Sequence, residues 1–267
     1  MPVAAAAALA FLWPATVRAQ LLETETARPL GNGGLELHSN LEYQFSSEGH
    51  ELAVPLAFEY GLSDRLELLV EPVAYTAVRP HTGPQATGGG DVEATVTYLI
   101  HRETEGAPAF ALAAEVKFPT TKDTLIGTGK TDYTGYLIAS RRFGSLDVHG
   151  NLAYTVVGKP SGAALKNIFS AAFALERQLG ASTELFGEVV GNTAAAASSE
   201  TSGGPGSEAS TPEAPSGEVV ASVGLAQFVS HACRLALGFS VDNSGAVLVR
   251  PTVSFLHRAS GQRREVD

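Results

Sequence analysis

Carboxylates at every second residue are the most visible chemistry in this chain. Glu36, Glu42, Glu51, Glu59, Glu67, Glu71, Asp91, Glu93, Glu115, Asp147, Glu184 and Glu188 each sit where polar and apolar residues alternate. A period of two sends successive side chains to opposite faces of a strand, so within each run the acids share one face. Few cations join them, chiefly Lys117, Arg234 and Arg250. If that face encloses water, its field concentrates cations and disfavours anions. The competing arrangement pairs these acids with bases across strands and fills the interior.

Other chemistry is thinner. His149 and Asn151 share a face. Some twelve-stranded membrane barrels are phospholipases that use Ser and His, but no serine here stands in a recognisable nucleophile context. A histidine that hydrogen-bonds its neighbours is favoured, and no enzyme activity is expected. His38 with Glu36 and Glu42 offers metal-ligand types, because residues two apart share a strand face. One histidine among scattered acids falls short of a metal site, so none is assigned. No cofactor is implied either: the glycines at 88–90 and at 127 and 129 punctuate loops, with no helix following and no P-loop completed. Cys233 falls on the apolar face with Leu235 and Leu237 and is expected to be inert.

The stretch 119–131 reads PTTKDTLIGTGKT. It runs from Pro119, places Lys122, Asp123 and Lys130 around Leu125 and Ile126, carries Gly127 and Gly129, and ends before Asp132. A loop of that kind can fold into a mouth and gate it, or lie on the surface; the gating role is the candidate carried forward.

The elements that position these residues are strands. In 35–76, Leu35, Leu37, Leu41, Tyr43 and Phe45 alternate with Glu36, His38, Asn40, Glu42 and Gln44, and the pattern restarts after polar turns near 46–50 and 61–64. It recurs to the end of the chain, giving about twelve strands of about ten residues, the length a tilted strand needs to cross a bilayer. Connections at 61–64, 102–107, 143–145, 178–181 and 230–231 are short. Those on the other side include 78–89, 119–131, 158–166 and 193–216, which are longer, though 46–50 and 242–245 are short too. An even count with tight turns at one rim predicts an all-β fold, a single antiparallel up-and-down transmembrane β-barrel of about twelve strands. Aromatics near the strand ends fit two girdles: Phe58, Tyr60, Phe110, Phe143 and Phe228 at the short-turn rim, Phe45, Phe118 and Tyr133 at the other. The facing of 132–142 stays open, because Tyr133 and Tyr136 fall on opposite sides.

Composition bounds the rest. Ala4 to Trp13 are nearly continuous in apolar residues, and Val17 and Ala19 suit cleavage after Ala19, so 1–19 reads as a signal peptide. Residues 20–32 are expected to be a periplasmic segment, 33–257 the barrel, 193–216 a low-complexity external loop, and 258–267 a disordered tail. No later run is long and apolar enough for a transmembrane helix. Charged residues are only 17%, and the 28 glycines favour strands and turns over helices. The formal charge of -10 excludes the basic face that a nucleic-acid partner needs.

The segments FEYGLSDRLELLVEP (58–72), GGGDVEATVTYLI (88–100), the stretch 117–154 from KFPTTKDTLIGTGKTDY onward, and ERQLGASTELFGEV (176–189) resemble an outer-membrane family. It is usually called the "MetA-pathway of phenol degradation" family of transporters. The likeness covers most of 33–257. It implies a single-chain barrel in the outer membrane of a Gram-negative-type cell, passing small, often aromatic, solutes. Its partners would be outer-membrane lipid, a small-molecule solute and the barrel-assembly machinery. The C-terminus departs from the pattern such machinery reads, since it lacks a terminal aromatic; Phe255 is the nearest. The leading expectation is thus a passive outer-membrane channel for small, hydrophobic or aromatic solutes. A narrow, plugged structural or adhesive barrel is the second, and a membrane-barrel hydrolase the third. The lumen-lining set is Glu36, Glu42, Glu51, Glu59, Glu67, Glu71, Glu93, Glu115, Lys117, Asp147, His149, Glu184, Glu188 and Arg250.

Overall fold

Every alternating run becomes a strand in the computed structural model, which describes residues 23–161, 165–195 and 217–257. The expected signal peptide, most of the 193–216 loop and the 258–267 tail lie outside the described residues. In chain order the strands are β1 (Leu35–Asn40), β2 (Glu42–Phe45), β3 (Gly49–Gly61), β4 (Leu66–Pro80), β5 (Ala86–Gly88), β6 (Val92–His101) and β7 (Ala109–Phe118). They continue with β8 (Asp132–Phe143), β9 (Leu146–Val156), β10 (Ile168–Gln178), β11 (Thr183–Asn192), β12 (Glu218–Ser230), β13 (Cys233–Asp242) and β14 (Val247–His257).

Neighbours in sequence are neighbours in the sheet, all antiparallel. β1 and β2 form one stave interrupted at Leu41, and β5 is a short addition to β4 beyond the wall. Twelve staves remain. Closure occurs where β1 lies between β14 and β3, with Leu35 opposite both His257 and Tyr60. A closed sheet leaves no edge, so every wall strand finds partners on both sides, as hydrocarbon requires.

The wall is apolar outside and polar inside, the reverse of a water-soluble core. Tyr98, Leu112, Phe173, Val223 and Phe239 point outward and are each about half exposed. Thr95, Ser140, His149, Arg234 and Ser254 are buried within. Such an outer band is stable only against lipid. Among the described residues no helix is long and apolar enough to cross a membrane, which says nothing against strands doing so.

Several expectations change at particular residues. The 78–89 loop is shorter than expected, because β4 runs on to Pro80 and Ala86–Gly88 pairs back onto it. β4 also carries an extra residue, Ala74: Val54 faces Tyr75 while Pro55 faces Val73. The bulge changes the facing, so Thr76 turns inward and Tyr75 outward. In β8 the open facing is resolved: Tyr133 faces out, while Tyr136 donates from the lumen to Glu115 Oε2 at 2.8 Å. Phe228 is not a girdle residue. It continues the inward face of Gly224 and Ala226 and pairs with inward Arg234, whose guanidinium lies 5.6 Å from its ring centre.

Two small apolar clusters punctuate the polar interior. One is Ala174, Phe186 and Ala226. The Phe186 ring lies over Gly224, where an added Cβ would collide with Phe186 Cζ and the Leu237 carbonyl oxygen. Gly224→Ala is therefore expected to destabilise the refolded barrel by about 1–3 kcal/mol, the usual cost of overpacking. A urea unfolding midpoint identical to that of the parent would contradict this packing.

Candidate functional site

A four-residue turn, Gly31-Asn32-Gly33-Gly34, precedes the first strand at the short-turn rim. Gly31 and Gly33 have φ of 80° and 75°, conformations that favour glycine. Gly33 N donates to Gly61 O at 2.8 Å, and Gly61 N donates to Gly34 O at 2.9 Å. The backbones are so close that a Cβ on Gly61 would collide with Gly31 O. This turn folds the preceding residues back into the barrel.

Residues 23–30 then climb the lumen, held at intervals by inward side chains. Leu30 N donates to Glu67 Oε2 at 2.5 Å. Arg28 bridges Glu103 at 2.6 Å and Asp147 at 2.8 Å. Ala27 N donates to Ser140 Oγ at 2.9 Å, and that oxygen lies 2.8 Å from His149 Nδ1. Asn151, with its amide nitrogen turned toward Glu25 O (3.0 Å), accepts from Glu25 N. Glu188 receives Glu23 N at 3.2 Å, Thr24 N at 2.6 Å and the Thr24 hydroxyl. Ala27 packs on Leu99, Ala109, Ala111, Ala113 and Ile138, where alternate alanines in β7 leave room for a chain. Residues 20–32 were expected in the periplasm; of these, 23–30 instead occupy the bore. Peptide N–H groups leaving water need acceptors, and the lumen acids supply them.

Above this plug, toward the long-loop rim, lies a cavity of about 280 Å³. Its wall includes Glu23, Glu25, Glu71, Glu93, Glu115 and Tyr136. Enclosure by the lumen, with Glu71, Glu59, Glu67 and Glu115 nearby, holds the Glu25 carboxyl well above the usual carboxylate range. The chamber is an acid-lined vestibule of a size suited to a small solute or hydrated ions.

The remaining inward residues of the sequence set divide into pairs and clusters. Lys117 is bonded to Asp132, Arg234 to Glu184, and Arg250 to Glu42 at 2.8 Å. Glu42 is thereby taken from the metal grouping considered with His38, and Glu59 stands there in its place, beside Glu36. Glu51 is exposed near the long-loop rim. In the 119–131 loop, Thr120 Oγ1 donates to Gly90 O at 3.1 Å and Thr121 N to Asp91 Oδ1 at 3.0 Å. Asp123 bonds Leu125 N, Ile126 lies against Gly88, and Lys122 and Lys130 are exposed. These contacts tie the candidate gating loop to the neighbouring 88–91 connection at the rim, while the bore is filled by the N-terminal segment.

Ser140 is the functional residue that sequence reading missed. It stands directly opposite His149 in the β8–β9 hairpin, and counting back from the recognised 143–145 turn finds it. A Ser–His contact is a nucleophile's signature, but here the serine is 1% exposed and its oxygen accepts the Ala27 N–H. The pair holds the plug. Arg28 and Ala27 could not have been assigned to the lumen, since no periodicity marks a chain lying across strands.

No family model matches the chain, and no curated protein matches it, so the family resemblance rests on the segments quoted above. Solved structures do match. An outer membrane channel from Pseudomonas putida F1 superposes with TM-score 0.62 at 12% identity, covering 88% of this chain and 100% of that one. The NanC porin gives 0.60 at 12% identity, covering 82% and 98%. The KdgM porin in complex with disordered oligogalacturonate gives 0.56 at 9%, covering 84% and 99%. Identities this low establish the fold alone. It is that of a twelve-stranded outer-membrane barrel, and with its lipid-facing band the chain belongs in the cell outer membrane.

Proposed function

We propose that this barrel is a passive channel for small solutes, selective for cations, with its bore narrowed by residues 23–30. The observation that carries the reading is the chamber walled by Glu23, Glu71, Glu93 and Glu115. Fixed carboxylates in a narrow, low-dielectric pore raise the local concentration of cations and exclude anions. An anionic ligand such as the oligogalacturonate held by the KdgM porin would meet repulsion here. The family resemblance points to hydrophobic or aromatic solutes. Tyr136 is the one aromatic ring among the described residues lining the chamber, so a small cationic or polar solute suits this wall better.

Current through the refolded protein in a planar bilayer under a salt gradient tests this. The reversal potential should report several-fold preference for K⁺ over Cl⁻. The triple variant Glu71→Gln, Glu93→Gln, Glu115→Gln should lose most of that preference while remaining folded. An anion-selective parent, or a triple variant with unchanged selectivity, would overturn the reading.

A second reading, a plugged barrel that displays its loops, draws on one observation. The plug is bonded to the wall at Glu67, Ser140 and Glu188 and through Arg28. It predicts a folded barrel that stays silent even after the plug is removed.

A further inference from the structure

We propose that Glu36, His38 and Glu59 form a binding site for a divalent transition-metal cation, with Zn²⁺ the best match to its donors. One ligand atom from each of the three lies within 4.8 Å of the others. The site stands at the closure of the barrel, near the short-turn rim, away from the acidic chamber.

Strand register builds it. Glu36 on β1 is directly opposite Glu59 on β3, and His38 is opposite Ser254 on β14. Two carboxylates directly opposite across a strand pair repel, a costly arrangement on a buried face. Glu36 and His38 are two residues apart, so both side chains leave β1 on the inner face. The Glu36 side chain is 0% exposed and that of His38 is 1%.

The imidazole supplies the second, independent observation. His38 Nδ1 lies 3.0 Å from Ser254 Oγ. Its Nε2 is buried, has no hydrogen-bond partner, and points between Glu36 Oε1 at 3.7 Å and Glu59 Oε2 at 3.8 Å. With Nδ1–H donating to the serine, Nε2 turns a lone pair toward two carboxylates. Three electron-rich atoms then converge on one point, and a cation there turns their repulsion into coordination.

Distances and donor type fit zinc. Ligand atoms around tetrahedral Zn²⁺ at about 2.0–2.2 Å lie about 3.3–3.5 Å apart, so Nε2 needs to close on each oxygen by only a few tenths of an ångström. One imidazole with two carboxylates suits a borderline metal, whereas Mg²⁺ and Ca²⁺ prefer oxygen alone. The Nδ1–Ser254 contact is the outer-shell bond that commonly orients a ligating histidine. The nearby Arg234 guanidinium is bonded to Glu184. A bound ion would tie β1 to β3 directly and to β14 through Ser254, where the first and last staves meet.

Isothermal titration of Zn²⁺ into the refolded, chelator-treated chain in detergent tests the site. The parent should bind one equivalent, and a large excess of Mg²⁺ should not displace it. Glu59→Gln and His38→Gln should weaken binding at least about 100-fold, and Ser254→Ala about 10-fold. Heat-modifiable gel mobility confirms that each variant is folded, and the conservative Glu59→Gln serves if His38→Gln does not fold. A parent that binds no Zn²⁺, displacement by Mg²⁺, or a folded His38→Gln or Glu59→Gln variant with parental affinity would each overturn the proposal. The titration requires no ion conduction, so it stands apart from the channel reading.

Discussion

Deleting residues 23–30 should raise single-channel conductance by a factor of about three or more, because an extended chain fills much of the cross-section of a twelve-stranded bore. The plug is short and its anchors are local. Arg28 holds it at the short-turn end through Glu103 and Asp147, Ser140 and Asn151 hold the middle, and Glu188 holds the inner end. The wall does not depend on it, since all twelve staves pair with one another along their lengths. A folded barrel with an open bore is thus the expected product. Arg28→Ala, which keeps the segment but removes both ion pairs, should give an intermediate increase with frequent transitions between conducting levels. A deletion variant that is folded and conducts no better than the parent would show that the constriction lies elsewhere, with the rim loop 119–131 next to be examined.

Arg234→Ala should lower unfolding stability by about 3–5 kcal/mol, the largest effect expected of any single wall residue. The arginine is 1% exposed, is bonded to Glu184, and lies over the Phe228 ring. Removing it leaves Glu184, itself only 5% exposed, as a charge without its partner in a site it cannot leave. The double variant Arg234→Leu, Glu184→Leu should recover much of the loss, because an apolar pair of similar volume avoids the desolvation of both charges. Urea unfolding in lipid vesicles measures both. A single-variant loss below about 1 kcal/mol would mean that water reaches the pair and screens it.

The bore therefore contains groups with separate tasks. Glu67, Ser140, Asn151 and Glu188 accept the N–H groups of an incoming chain. Glu71, Glu93 and Glu115 face the open chamber. Glu36, Glu59 and His38 crowd together at the seam. All are inward acids or their neighbours on alternating strands, and nothing in their local sequence separates one task from another. Glu67 and Glu71 show this plainly: both lie on one face of β4, yet one binds the plug and the other lines the chamber.

By itself, the sequence determined the architecture: strand positions, the inner and outer faces of nearly every strand, the asymmetry of the rims and the count of twelve. These follow from a period of two and from turn residues, both local properties that survive without knowledge of neighbours. Even Ser140 facing His149 follows from counting around a tight hairpin. Local pattern failed where the ladder is irregular, at the Ala74 bulge, because one extra residue reverses a face with little compositional mark. The tertiary structure alone decided that 23–30 enter the lumen and that Glu59, not Glu42, stands with Glu36 and His38. Both depend on contacts across the barrel or around its closing seam. In a closed sheet those are set by register and curvature summed over all twelve staves, which no single segment encodes.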